Sequence, residues 1–179
     1  MREVGAKELE QGLQGVDLPR LRMACVALTA ASAVFMGVPC TLSWLAPRPL
    51  PPINDPAPSM DGVLSLLLMG QVLLFTLSFA LQSFWPRLGR RRPQGDEAWT
   101  AEWVAQAISK TWLLRFAACE GACILGAIGF YMAYDKGLLT EAPRVWFLGL
   151  IPLGALAWMF LHWPDAAVLK KAFPRSKES

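Results

Sequence analysis

One acidic residue inside a long apolar segment is the residue of this chain most able to do chemistry. Glu120 is the only acid well inside any of the four long apolar segments. A carboxyl group in hydrocarbon costs several kcal/mol unless it is protonated or paired, so an intramembrane acid is a functional candidate by default. The chemistry would be proton transfer or proton-coupled transport. The alternative is a packing contact in which the carboxyl joins two helices, and the residue types leave both interpretations open.

Three other side chains are candidate partners for this carboxyl. Arg115 lies five residues earlier and could reach Glu120 or extend toward lipid phosphates, and we expect the second. His162, the only histidine, could pass protons to Glu120, but its place beside Trp163 favours an interfacial side chain that faces headgroups. Gln82 is predicted to lie at a similar depth.

The four cysteines match no redox or metal motif. Cys119 and Cys123 are four residues apart, which fits neither Cys-x-x-Cys nor a common zinc pattern. We interpret these two, with Cys25 and Cys40, as small apolar residues in helix interfaces. A phosphate loop, a His-Glu-x-x-His motif and a serine-triad signature are also missing from the sequence. We therefore expect no catalytic residue, metal or cofactor, and a membrane enzyme acting on a lipophilic substrate is the least favoured function.

These candidate residues lie in a chain that is unusually apolar. The protein has 179 residues, of which 54% are hydrophobic and 17% charged, and its mean hydropathy is +0.36. Soluble domains have about 25% charged residues. The apolar residues come in four long blocks, which excludes a disordered chain, a disulfide-framed miniprotein and a nucleic-acid-binding domain as main interpretations. We predict an all-α integral membrane four-helix bundle, with the lipid bilayer and other transmembrane helices as partners.

Each block is close to the ~20 residues that a helix needs to cross ~30 Å of hydrocarbon. The predicted division is a cytoplasmic tail 1–22, a first span 23–45, a proline-rich outer loop 46–62, a second span 63–85, a cytoplasmic loop 86–110 with an amphipathic helix 96–110, a third span 111–134, an outer loop 135–144, a fourth span 145–163 and a cytoplasmic tail 164–179.

The basic residues predict the orientation. Of the 17 lysines and arginines, 14 fall in the two tails, in the loop between the second and third spans, or just inside the third span. The positive-inside rule places that side in the cytoplasm, together with both termini. Tryptophans mark the predicted interfaces, with Trp44 and Trp146 outside and Trp85, Trp112 and Trp163 inside. From the compactness of the chain and the resemblance given below, we expect a bacterial inner membrane.

The cytoplasmic loop carries the candidate lipid-contacting residues, which are Arg90, Arg91, Arg92, Trp99 and Trp103. The tryptophans are four residues apart, as on one face of a helix, so residues 96–110 are predicted to lie in the inner headgroup region. The arginines would meet anionic lipid, although the topology signal alone explains their presence.

Helix packing is predicted at three glycines of the third span, Gly121, Gly126 and Gly129, because small residues let helices approach closely. Gln71 is interpreted as an interhelical hydrogen-bonding residue rather than as a ligand. Leu-Arg pairs open the first and third spans, and Trp-Pro pairs end the second and fourth. This pattern indicates either a duplicated helical hairpin or only the usual residues at membrane interfaces.

Two short segments carry a family resemblance. Arg115 to Leu125 reads Arg-Phe-Ala-Ala-Cys-Glu-Gly-Ala-Cys-Ile-Leu, and the fourth span ends in His162-Trp163-Pro164-Asp165. Both resemble small, uncharacterised bacterial four-helix membrane proteins, which implies the fold and no activity. By analogy alone, the Glu120 segment is similar to the carboxylate helix of rotary ATPase proteolipid subunits. The second span departs from that family because it lacks the repeated glycines.

The function expected from the sequence is non-enzymatic. A small multi-pass protein with few polar residues in its spans is best interpreted as a structural or accessory subunit of a homo-oligomer or a larger membrane complex. Proton transfer through Glu120 is the alternative.

Overall fold

The computed structural model describes residues 6–45, 61–89, 97–135, 138, 146–165 and 167–169. Within these ranges the regular structure is helical and contains no strand, which confirms the all-α class. The helices are α1 (Ala6–Gln14), α2 (Leu18–Leu45), α3 (Asp61–Gly89), α4 (Glu97–Asp135) and α5 (Phe147–Leu161).

Three of the helices are long and apolar enough to cross a membrane. The apolar stretches are Leu18–Thr41 in α2, Gly62–Leu81 in α3 and Glu102–Asp135 in α4. Each has at least the ~20 residues that a span requires.

Helix α5 is apolar but shorter than the segment 145–163 predicted for it. Its 15 residues cover about 22 Å at 1.5 Å per residue. The helix ends at Leu161, and His162 leaves the helical region with φ −107° and ψ 37°. Pro164 explains this end, because it has no N–H to donate and disfavours a helical conformation at Trp163.

Helix α4 is one continuous helix of 39 residues. We predicted an amphipathic helix 96–110 followed by a separate span 111–134, and here the structure differs. The sequence has neither glycine nor proline between residues 97 and 120, so nothing in the backbone interrupts the helix at the predicted junction.

The first half of α4 packs against other parts of the chain, in what we call the terminal core. This core joins α1, the start of α2, the first half of α4 and the chain after α5. Its fully or almost fully buried residues include Val16, Leu21, Val104, Ile108 and Leu169. The apolar face that we expected in the headgroup region is therefore covered by protein.

A polar contact closes the terminal core. The Arg22 guanidinium donates from Nε to the Pro164 carbonyl oxygen and from Nη2 to Asp165 Oδ1, both at 3.0 Å. The beginning of α2 is thus tied to the segment that follows α5.

Helix α4 is the centre of the fold and packs against each of the other four helices. In an apolar 18-residue window of α4, 56% of the residues are buried, against 28% in the corresponding window of α2 and 11% in that of α3. Most of the apolar surface of α2 and α3 therefore faces outward. It includes Val34, Leu66, Met69 and Leu73, each at least 65% exposed.

A substitution in the terminal core tests whether the apolar face of the first half of α4 is covered by protein or lies in the lipid headgroup region. Ile108→Asp places an unpaired charge at a fully buried position, so it should lower the free energy of unfolding by at least about 3 kcal/mol. Gln106→Asp is the matched control, because Gln106 is exposed on the same helix. Thermal unfolding in detergent, followed by circular dichroism, measures both. Equal small effects would show that this face of α4 is not packed.

Candidate functional site

Two buried polar clusters lie between α3, α4 and α5. The Gln71 cluster consists of Gln71, Cys123, Gly126, Leu148 and Pro152. The Arg115 cluster consists of Ser78, Trp112, Arg115, Trp158 and His162. Gly126 and Arg115 are eleven residues apart on α4, or about 16 Å along the helix axis, so the clusters occupy different levels of the bundle.

The Gln71 cluster is built around a missing backbone donor. Pro152 has no N–H, so the Leu148 carbonyl four residues earlier in α5 has no helical partner. Gln71 Nε2 of α3 donates to that carbonyl oxygen over 3.4 Å, and the whole Gln71 side chain is buried. Its Oε1 has no hydrogen-bond partner among the described residues. Gln71 thus makes the interhelical hydrogen bond expected of it, to a carbonyl in the first half of α5 that Pro152 leaves without a helical donor.

Gly126 brings α4 into the same cluster. A Cβ atom at this position would lie 2.2 Å from Pro152 Cγ, 2.7 Å from the Leu148 carbonyl oxygen and 2.8 Å from Gln71 Nε2. No larger residue fits without moving a helix. The Cys123 thiol, one turn earlier on α4, donates to the Pro152 carbonyl oxygen over 3.6 Å.

The other two glycines singled out from the sequence also lie at helix contacts, and these contacts are less tight. A Cβ at Gly121 would be 2.9 Å from Leu74 Cδ1 of α3, the flexible end of a side chain. A Cβ at Gly129 would be 3.1 Å from Leu148 Cδ2 of α5. Of the three glycines, Gly126 leaves the least room for a side chain, because a Cβ there would meet the backbone carbonyl oxygen of Leu148.

Arg115 points into the protein. Its side chain is 1% exposed, and its Nε donates to the Ser78 carbonyl oxygen of α3 over 3.0 Å. Its Cζ lies 4.9 Å from the ring centre of Trp112 and 4.6 Å from that of Trp158, distances at which a cation is attracted to an aromatic face. The expectation that Arg115 extends toward lipid phosphates was wrong, because a carbonyl oxygen and two indoles inside the bundle hold it.

The Trp158 ring connects Arg115 with His162. The His162 imidazole stacks on the indole with 4.5 Å between ring centres and 16° between planes. Its Nδ1 lies 3.1 Å from the Trp158 carbonyl oxygen. Phe116 packs on the same indole with ring centres 5.9 Å apart. His162 therefore belongs to an aromatic cluster at the end of α5.

Glu120 is outside both clusters. It is half-buried, and it makes no hydrogen bond or ion pair with any residue that the structure describes. Arg115 is directed to Ser78 and His162 to Trp158, so neither predicted partner binds the carboxyl. Helix α3 continues through Gln82, whose side chain lies outside the described part of the chain.

Buried hydroxyl groups in the bundle bond within their own helices. Thr29 donates to the Cys25 carbonyl oxygen, Ser32 to that of Leu28, and Ser78 to that of Phe75, over 2.7–2.9 Å. Such bonds within a helix are usual for serine and threonine inside apolar helices. The Ser78 and Ser32 side chains also make hydrogen bonds with Cys119 and Cys123 of α4.

Two features of the site were missed from the sequence. Trp112 was placed at the inner interface, but it is fully buried, and Trp158 was not singled out at all. One signal was available, because Trp112 precedes Arg115 by three residues and shares its helical face. No sequence signal indicated that Trp158 of α5 would contact the same guanidinium.

The predicted lipid-contacting residues fall mostly outside what can be described. Arg90, Arg91 and Arg92 lie outside the described residues, as does the side chain of Trp99. Trp103 is half-buried and packs against the terminal core rather than standing free.

Comparisons of the chain with protein-family models, curated proteins and solved structures found no match. The family resemblance of the Glu120 segment therefore stays a prediction.

The Gln71 cluster predicts an energetic coupling between α3 and α5. Gln71→Met removes the donor to the Leu148 carbonyl and should cost about 1–2 kcal/mol of unfolding free energy. In a Pro152→Ala background the residue at 152 supplies its own N–H, so the same change should cost about 1 kcal/mol less. Denaturant unfolding of the four proteins measures the coupling, with Thr76→Leu on the exposed side of α3 as control. Strictly additive costs would contradict the hydrogen bond.

The Arg115 cluster predicts a stability effect that depends on the planar guanidinium. Arg115→Ala should lower the unfolding free energy by about 3 kcal/mol, because it empties a packed site and leaves two buried indoles without their partner. Arg115→Lys should recover only part of this, since an ammonium group does not stack as a planar guanidinium does. Arg20→Ala is the control, at a side chain that is 88% exposed. Equal unfolding midpoints for Arg115→Ala and Arg20→Ala would show that Arg115 faces outward.

Proposed function

We propose that the protein is a multi-pass integral membrane protein that acts as a structural or accessory subunit. It packs its helices against other transmembrane helices, in its own oligomer or in a larger complex. The observation that carries this proposal is the small share of α2 and α3 that the chain itself buries, 28% and 11% of an apolar 18-residue window in each helix. Apolar surface on this scale requires lipid or other helices to cover it.

The membrane arrangement in this proposal has four spans and both termini in the cytoplasm of a bacterial inner membrane. Helices α2, α3 and α4 have the required length and hydropathy. Helix α5 would be the fourth span, and its 15 residues would be accommodated by local thinning of the bilayer or by oligomerisation. The placement of 14 of the 17 basic residues on one side supports the orientation.

The two buried clusters support a packing role. Both use polar groups to join helices, Gln71 to the Leu148 carbonyl and Arg115 to the Ser78 carbonyl. Among the described residues, neither cluster shows a nucleophile hydrogen-bonded to a general base, the arrangement that covalent catalysis uses.

Proton transfer through Glu120 is the second candidate function. It is favoured by one observation, a half-buried carboxyl that binds no described residue. Against it, the hydroxyls of Thr29, Ser32 and Ser78 donate to carbonyl oxygens of their own helices and not to Glu120.

Measuring the particle mass in native membrane patches tests the proposal. Membranes solubilised with a styrene–maleic acid copolymer keep neighbouring helices together, and the protein mass per particle can then be counted. We expect a particle of at least two polypeptides, hence a protein mass above the 19.7 kDa of one chain. A particle with a single chain would contradict the subunit role. Proton flux in liposomes that Glu120→Gln abolishes, with assembly unchanged, would favour the second candidate.

A further inference from the structure

We propose that Glu120 is the contact point between two copies of this chain, carboxyl to carboxyl, across a twofold axis along the membrane normal. The inference rests on the proposed function and names the partner surface within it. The surface, called the Glu120 face, consists of Leu114, Ala117, Glu120, Ile124 and Ile128 of α4.

The Glu120 face lies on the outer side of α4. Leu114 is 57% and Ile128 45% exposed, and Ala117 between them is also exposed. Glu120 and Ile124, on the same surface, are half-buried. The surface thus runs for about four turns of α4 with a single ionisable group in its middle.

The carboxyl needs a hydrogen-bond partner from outside the described chain. In hydrocarbon a carboxyl without a partner costs several kcal/mol. Among the described residues, the Ser32 and Ser78 hydroxyls and Arg115 Nε donate to carbonyl oxygens of Leu28, Phe75 and Ser78 and not to Glu120. Glu120 has no such bond to any described residue.

A second copy supplies the matching chemistry. A neutral carboxyl is donor and acceptor at once, so two of them form a pair of O–H···O hydrogen bonds. A twofold axis always places the same residue opposite itself, so a self-complementary group at the axis completes the contact with no other protein. Glu120 is the only acid well inside the apolar part of the chain, which makes it the one group able to form this pair.

The residues beside Glu120 allow the approach. Ala117, three residues before Glu120, is exposed and carries only a methyl group, whereas Gly121 is already in contact with Leu74 of α3. A small residue at such a position lets two helices come close enough for polar side chains to bond across the contact. The larger Leu114 and Ile128 stand at the two ends of the surface, where they would pack against the same residues of the second copy.

The test measures self-association of purified protein in lipid bilayers by energy transfer between donor-labelled and acceptor-labelled chains. Wild type should show dimers. Glu120→Leu should lower the dimer association constant by at least tenfold, because it removes both hydrogen bonds. Glu120→Gln should retain most of the association, because a primary amide is self-complementary as well. Glu102→Gln, at an exposed acid near the other end of α4, is the matched control and should change nothing.

Cross-linking locates the contact independently of the stability of the Glu120 variants. In a Cys40→Ser background, Ala117→Cys should form an intermolecular disulfide under mild oxidation, because position 117 lies beside the proposed axis. Leu73→Cys is the control, on the 70% exposed face of α3. Cross-linking at 117 and not at 73 supports the proposal.

Several results would overturn the inference. Dimers that persist in Glu120→Leu, or cross-links at 73 rather than 117, would place the contact elsewhere and leave the proposed function standing. Wild-type chains that stay monomeric in bilayers, while membrane patches hold them with a different protein, would also refute only the inference. Single chains in both experiments would refute the inference and the proposed function together.

Discussion

The missing N–H of Pro152 is the constraint on which the arrangement of three helices depends. It leaves the Leu148 carbonyl of α5 without a helical donor, and Gln71 of α3 supplies one over 3.4 Å. Gly126 then allows α4 to pass the same point, where a Cβ would be 2.2 Å from Pro152 Cγ. A local defect in one helix thereby sets the positions of its two neighbours. In an apolar bundle such a contact gives specificity that apolar packing alone supplies weakly.

A second fixed point lies about 16 Å along α4 from the first. There Arg115 binds the Ser78 carbonyl and two indoles, which joins α3, α4 and α5 again. Beyond it the first half of α4 is enclosed by α1 and by the segment after α5. Two polar contacts and a terminal core thus hold the helices to α4 and leave the outer faces of α2 and α3 uncovered. A chain organised in this way is suited to packing among other helices.

The sequence was sufficient to predict the features that depend only on the residues of a single helix. The all-α class and the first three apolar helices follow from hydropathy, and the packing glycines follow from residue size. The sequence was insufficient where the surroundings of a side chain depend on residues that are distant along the chain. Arg115 was expected to reach lipid, because nothing near it in sequence shows that Trp158 will lie 4.6 Å away. Residues 96–110 were expected on the membrane surface, because an amphipathic pattern does not reveal whether lipid or α1 covers its apolar face.

Solid-state NMR of the protein in lipid bilayers tests the central contact most directly, through the dipolar coupling between Gln71 Nε2 and the Leu148 carbonyl carbon. The N–O distance of 3.4 Å and a C=O bond of about 1.2 Å place the two nuclei about 4–5 Å apart. We predict dephasing that corresponds to this separation in protein labelled with ¹⁵N-glutamine and carbonyl-¹³C-leucine, and its loss in Gln71→Met. Equal dephasing in the two proteins would contradict the account, because α3 and α5 would then not meet through Gln71.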